Sequence, residues 1–366
     1  MRISSIYTQS VGPLADGVIK LEDDWSNEIE AQVLFTGNNG CGKSTLLRGI
    51  AILWEALGIW LSTEQPLAPA SNTRKWLERW GGIAIIFEDF NLSSDDKIKI
   101  GLFYGSDDFF SQVVTNYLDV MWIGEISNNK KKNKLYFPSS ENKHNDNLIE
   151  TYKYLGKRRI QSLYNELDPE LSIPNIVYLD AEARKWVNPT ATRKSLYPDD
   201  LNQAWLATYT VTNDWNGQIE TSLFNLKATL PNEYPNMIKS LNYFFSDKRI
   251  DSEILPGTRQ QIILSNGRQH TFDELSSGEH QILIMLFTIQ RWLKPGGIVL
   301  IDEPDLHLHL HPSVIAPLLA AIENIVTNKK GQLILTSHST EVWQRYEKFG
   351  SRIDLTLLKG SVNVEN

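Results

Sequence analysis

Apolar residues gather into a compact run at Ala31-Gln-Val-Leu-Phe-Thr36 after some thirty residues of strand-like alternation, the pattern of a buried strand. A glycine-rich turn follows at once. From Ser44 to Leu61 the apolar positions Leu46, Leu47, Ile50, Leu53, Trp54, Leu57 and Trp60 recur at helical spacing. Strand, loop and helix thus succeed one another without a break.

Two further strands are predicted at Ile83-Ala-Ile-Ile-Phe87 and Ile98-Lys-Ile-Gly-Leu-Phe103, separated by a turn at Asn91-Leu-Ser-Ser-Asp95. Residues 126–150 are the most polar stretch and read as a long loop. Strand character returns at Asn175-Ile-Val-Tyr-Leu-Asp180, and residues 200–247 show helical spacing through Trp205, Leu223, Leu226, Leu230, Met237, Leu241 and Phe244. After residue 260, strands at Gln261–Leu264, Ile298–Ile301, Leu333–Leu335 and near Leu355–Leu358 alternate with helices from about Ser277 to Leu293, after Pro312 and from Thr340. This order predicts an α/β fold with a mostly parallel sheet flanked by helices, an N-terminal antiparallel β subregion and a helical insertion. Three regions are expected: 1–125 as a first lobe, 126–255 as polar loop, one strand near 175–180 and insertion, and 256–366 as a second lobe.

Composition narrows the function classes. The 366 residues include 11 Trp, 13 Tyr and 13 Phe and are 41% hydrophobic, which is globular rather than disordered. The first ten residues lack a secretory pattern, and no segment reads as a membrane span, so a cytoplasmic protein with no membrane partner is expected. The lone Cys41 excludes an internal disulfide and multi-cysteine metal sites. A net charge of −8 argues against a protein that coats nucleic acid. Contact with nucleic acid would have to be local, through Lys130, Lys131, Lys132 and Lys134 or through Lys157, Arg158 and Arg159, although such runs also serve as solvated surface.

Four segments carry chemistry. Gly37-Asn38-Asn39-Gly40-Cys41-Gly42-Lys43-Ser44, followed by Thr45, fits the G-x-x-x-x-G-K-[ST] pattern, whose backbone N–H groups wrap nucleotide phosphates at a helix N-terminus. Lys43 would reach the β- and γ-phosphates and Ser44 would offer its hydroxyl to Mg²⁺. Cys41, among backbone donors and next to Lys43, is a candidate acidic thiol. Ile298-Val-Leu-Ile-Asp302-Glu303 is an apolar strand ending in two acids, with Asp302 suited to Mg²⁺ and Glu303 to activating water. Ser276 and Glu279 form an S-x-x-E capping box at the head of an amphipathic helix. Leu333-Ile-Leu-Thr-Ser-His338 is another apolar strand with a polar end.

Taken in order, these segments resemble the motifs of ABC-type ATPases. Leu275-Ser276-Ser277-Gly278-Glu279-His-Gln281 resembles the signature motif, and His338 looks like the switch histidine. The capping box and the signature reading are compatible, because a capped helix N-terminus favours a phosphate in either case. In Pro304-Asp305-Leu-His-Leu-His-Leu-His-Pro312 the alternating histidines invite a metal reading. The resemblance instead implies an interface loop with Asp305 as its key residue, in the style of the RecF, SMC and OLD-like branch, including ATPase subunits of anti-phage systems such as Septu and PARIS. No glutamine can be assigned to the usual loop between the lobes.

The resemblance implies ATP and Mg²⁺ as cofactors, ATP hydrolysis, and ATP-dependent self-association into a homodimer or higher oligomer. It lacks the long coiled-coil arm of SMC proteins and, before Asn366, the acid-rich nuclease domain of full OLD proteins. The expected partner is therefore a separate effector such as a nuclease, held in check in anti-phage defence. The alternative is a RecF- or SMC-like DNA-repair ATPase that contacts nucleic acid.

Overall fold

The computed structural model describes residues 1–366 apart from 24, 92–96, 129–131, 138–172, 190–200, 216, 246, 255–257, 306–311 and 362–366. In chain order it contains β1 (Arg2–Gln9), β2 (Gly17–Lys20), β3 (Gln32–Thr36), α1 (Lys43–Thr63), α2 (Asn72–Leu77), β4 (Gly82–Asn91), β5 (Lys97–Gly105), α3 (Asp107–Asn116), β6 (Met121–Ile126) and β7 (Lys134–Tyr136). There follow β8 (Ile176–Leu179), β9 (Leu206–Thr208), α4 (Ile219–Thr229), α5 (Tyr234–Asn242), β10 (Lys248–Ile250), β11 (Ile262–Leu264), β12 (Gln269–His270) and α6 (Ser277–Trp292). The chain continues through β13 (Ile298–Ile301), α7 (Pro312–Asn328), β14 (Gln332–Thr336), α8 (Thr340–Phe349), β15 (Ser351–Asp354) and α9 (Leu355–Ser361).

Six strands form a parallel sheet in the order β15-β3-β14-β13-β8-β9. A second six-stranded sheet, β2-β1-β4-β5-β6-β7, is antiparallel except where β5 pairs with β6. Strand alternation dictates how the layers stack, since successive side chains leave opposite faces. Val33 and Phe35, Ile298 and Leu300, and Ile334 face α1, which meets Ile6, Ile85 and Leu102 of the second sheet on its other side. Leu34, Val299, Ile301, Leu333 and Leu335 face the opposite way, onto α4 to α8. Beyond the second sheet, Ile86, Phe103 and Trp122 pack on Phe109 and Val113 of α3. Burying each such aliphatic side chain contributes roughly 1.5–3 kcal/mol, so both faces of both sheets are committed to the core.

Helix α1 is the hub of this stack. Its Trp54 stacks on Trp205 with ring centroids 4.5 Å apart, and each indole N–H donates to the other residue's carbonyl, at 2.9 and 3.0 Å. By length and composition α1 is apolar enough to cross a membrane, contrary to the sequence reading that no segment approaches a span. Here its apolar character is used by two sheets at once, with 67% of its apolar window buried.

Several sequence expectations are corrected. Lys134-Leu-Tyr136, inside the predicted polar loop, is a strand paired with β6. Trp205 does not lie on a helix: it follows a 3-10 turn, Leu201–Ala204, and leads into β9. Residues 262–264 join no parallel sheet but form a small antiparallel one with β10 and β12. The last strand is Ser351–Asp354, and Leu355–Leu358 begins a helix, because the Asp354 carboxylate accepts the Thr356 N–H and starts a turn. The turn at residues 92–95, the basic residues Lys130, Lys131, Lys157, Arg158 and Arg159, and His307, His309 and His311 lie outside the described residues.

Candidate functional site

The carboxyl ends of β3, β14, β13 and β8 share one edge, where open parallel sheets bind ligands. The turn after β3 runs through Gly37, Gly40 and Gly42 at φ values of 136, 74 and 107°, a region that L side chains rarely adopt. A Cβ on Gly42 would stand 2.6 Å from Leu14, whereas one on Gly40 would meet nothing within 4 Å. Gly42 is therefore held by packing, while Gly40, with exposed Asn38 and Asn39, leaves an open rim. Helix α1 starts at Lys43 with no side-chain cap and no acid in its first turn, so its first N–H groups face that rim. The Lys43 ammonium, 5% exposed, donates to the carbonyls of Gly37 and Asn38 at 3.0 and 3.3 Å. Cys41 is buried with its Sγ 3.9 Å from Lys43 Nζ. Thr45, in the first turn of the helix, is half-buried.

Ser44 Oγ donates to Asp302 Oδ1 at 3.0 Å, joining this loop to the end of β13. Thr336, at the end of β14, donates its hydroxyl to the same Oδ1 at 2.6 Å and accepts the Glu303 N–H at 2.9 Å. A buried carboxylate bonded by two neutral hydroxyls is an all-oxygen set of the sort hard divalent cations take, so Ser44 and Asp302 fit Mg²⁺. Glu303 has φ 46°, a left-handed conformation that costs a non-glycine residue about 1–3 kcal/mol. Its carboxylate meets His338 Nε2 at 3.3 Å. Burial, then the charge of Asp302, raise the Glu303 pKa above the usual glutamate value, with His338 pulling the other way. Asp305 accepts the Ser337 hydroxyl at 2.8 Å, which seats it beside His338.

The sequence-predicted residues therefore converge, except for one set. Ser276 caps α6 and Glu279 completes the capping box. Burial opposes the Glu279 carboxylate, yet the Ser276 N–H and Lys248, 3.0 Å away, hold its pKa below the usual range. Ser276 and Ser277 are exposed and Gly278 is buried. Among the described residues no hydrogen bond or ion pair joins Ser276–Glu279 to the glycine-rich loop. Three contributors were not legible in the sequence: Thr336, Asp180 and Arg184. Asp180, at the end of β8, is bound by Arg48 at 3.3 Å and the Tyr178 hydroxyl at 2.9 Å. Thr336 and Asp180 did leave a signal, each as the first polar residue at the end of an apolar strand.

Residues 33–342 match the protein family described as "AAA domain, putative AbiEii toxin, Type IV TA system". The chain belongs to that family. Among solved structures, this AAA protein is similar to a "Putative ABC transporter (ATP-binding protein)" from Pyrococcus furiosus, at 13% identity over 97% of this chain and 98% of that one, with a TM-score of 0.34. No curated protein matches it by sequence. Family membership makes it an AAA-domain, ATP-binding P-loop protein, consistent with the glycine-rich loop and acid pair found at one sheet edge.

Proposed function

We propose that the protein hydrolyses ATP with Mg²⁺, dimerises on ATP, and by doing so controls a separate effector, a nuclease or toxin, in prokaryotic anti-phage defence. The observation that carries the enzymatic part is the convergence of Ser44, Asp302, Thr336, Glu303 and His338 through hydrogen bonds and contacts of 2.6–3.3 Å. Backbone N–H groups from Gly37 to Thr45 bind the phosphates, and Lys43 turns from its carbonyls to the β- and γ-phosphates. Ser44 and Asp302 would hold Mg²⁺, whose charge would offset that of the phosphate oxygens. Glu303 accepts a proton from water as the water oxygen bonds to the γ-phosphorus. The bond to the bridging oxygen breaks and ADP leaves. His338 positions that carboxylate and contacts the γ-phosphate. The exposed Ser276 and Ser277, with Gly278 and Glu279, serve the nucleotide of a second copy, and Asp305 lies at that interface.

A base that must be ionised gives a rate that falls as pH drops through its pKa. Burial is the largest cause of the raised Glu303 pKa and, unlike the Asp302 charge, is not offset by a bound Mg²⁺, so the acid limb of kcat is expected above that of an ordinary glutamate. Asp305 contributes to that raise, so Asp305→Asn is expected to move the limb toward lower pH in a kcat–pH profile. An unmoved limb would count against Glu303 as the titrating base.

The biological part is supported by the family's description, which names a type IV toxin–antitoxin system, and by the anti-phage resemblance of the motifs. Affinity purification of Glu303→Gln from source cells in ATP-Mg²⁺, with Lys43→Ala as control, tests it. Co-purification of an ATP-dependent nuclease or toxin is the expected result. Recovery of DNA alone would replace this reading with a DNA-repair ATPase.

A further inference from the structure

Arg184 is fully buried, and no catalytic motif contains it. Its Nη1 donates to the carbonyls of Leu179 at 3.0 Å and Asp302 at 2.7 Å, and its Nη2 to the carbonyl of Glu303 at 2.7 Å. Its Nε donates to Gln281 Oε1 at 3.0 Å, and the Gln281 amide donates back to the Arg184 carbonyl. Gln281 is 4% exposed and lies on α6, one turn beyond Gly278. One planar side chain therefore spans from the helix headed by Ser276 to the backbone of both acids, a reach a lysine's single ammonium cannot reproduce.

The two acids need such a hold. The left-handed turn at Glu303 is restrained on its N–H by Thr336 and on its carbonyl by Arg184. Burial works against the Arg184 charge, while Asp302, Asp180, Asp305 and Glu303 favour it, so the cation belongs to the same electrostatic cluster as the acids. Two residues on, Trp186 lies flat against His280 of α6, with centroids 4.6 Å and planes 1° apart, and its indole N–H donates to Asp273. The segment after β8 thus grips the first turns of α6 at two successive points.

We propose that Arg184 is a positioning residue that couples the signature turn to the Glu303 carboxylate. When Ser276–Glu279 engage a phosphate, any shift of α6 reaches the Glu303 carbonyl through Gln281 and Arg184 and changes where the base sits. In an ATP-bound dimer this links the nucleotide gripped by a subunit's signature turn to the one hydrolysed beside its own Glu303. The inference rests on the ATPase reading and adds a route of communication to it.

The test compares Gln281→Leu, Gln281→Glu and Arg184→Lys with the wild type in ATP-Mg²⁺, measuring kcat, KM, ATP affinity and thermal midpoint. Gln281→Leu removes the link but leaves the glycine-rich loop intact, so kcat is expected to fall on the order of tenfold to a hundredfold, as for a misplaced catalytic group. ATP affinity should stay within about twofold. Gln281→Glu keeps the acceptor for Arg184 Nε while losing the amide donor to the Arg184 carbonyl, so it should recover part of the lost kcat, and Arg184→Lys should behave like Gln281→Leu if it folds. Wild-type kcat in Gln281→Leu would overturn the coupling. So would a parallel fall in affinity and thermal midpoint that Gln281→Glu fails to reverse, since that marks a structural brace. A wild type without ATP turnover would instead refute the ATPase reading.

Discussion

Glu303→Gln is expected to slow ATP turnover on the order of a hundredfold to ten-thousandfold, the range general-base catalysis supplies, while leaving ATP bound and the protein dimeric. The amide has the carboxylate's shape and cannot take the proton. The turn that presents it is held through backbone atoms, its N–H by Thr336 and its carbonyl by Arg184, so the substitution leaves the left-handed geometry in place. Stability should not suffer either. A carboxyl with a raised folded-state pKa stabilises the fold while protonated and loses that contribution as pH rises through the pKa, so a neutral isostere removes a cost present at neutral pH. Single-turnover hydrolysis checks the first claim, and light scattering in saturating ATP-Mg²⁺ checks the second. Undiminished turnover would remove Glu303 from the role of base, and a monomer would remove the ATP-bridged dimer.

Lys43→Ala should fail earlier, at binding. The ammonium is nearly enclosed and rests on two carbonyls of its own loop, neutral partners that a phosphate outcompetes. Losing a hydrogen bond to a charged group costs about 1.5–3 kcal/mol, equivalent to roughly tenfold to a hundredfold in ATP affinity. Hydrolysis should become undetectable. Equilibrium titration with a fluorescent ATP analogue reads this directly, and Lys43→Met, which keeps an apolar stem in place, separates charge from packing. Wild-type affinity in both variants would mean that the phosphates bind elsewhere.

Legibility in the sequence followed the range of each constraint. The glycine-rich loop could be read because phosphate binding demands left-handed backbone at fixed local spacing, and Gly37, Gly40 and Gly42 all have it. The acid pair and His338 were readable as polar ends of apolar strands. The order of the parallel sheet was not, and it decides the site: β14 lies between β3 and β13, which brings Thr336 against Asp302. Arg184 reaches Gln281, Asp302 and Glu303 across 97 to 119 positions, contacts that leave no local pattern. Trp205 fits a helical spacing in the sequence, while in the fold it stacks on Trp54 across the core. Leu355–Leu358 looked like a strand because four successive residues are largely apolar, and only the Asp354 cap turns them into a helix.

The closing of the parallel sheet also sets a timetable for synthesis. Gln332 bonds the backbone of Ile3, 329 positions away, and that of Glu30, while β3 pairs only with β14 and β15. At about 5–20 residues per second, a ribosome needs roughly 15–65 s to deliver both partners. For most of that interval α1, long and apolar enough to cross a membrane, has been made while one of its two covering sheets cannot yet be complete. To the machinery around the ribosome the nascent chain thus presents a greasy helix that the finished protein conceals.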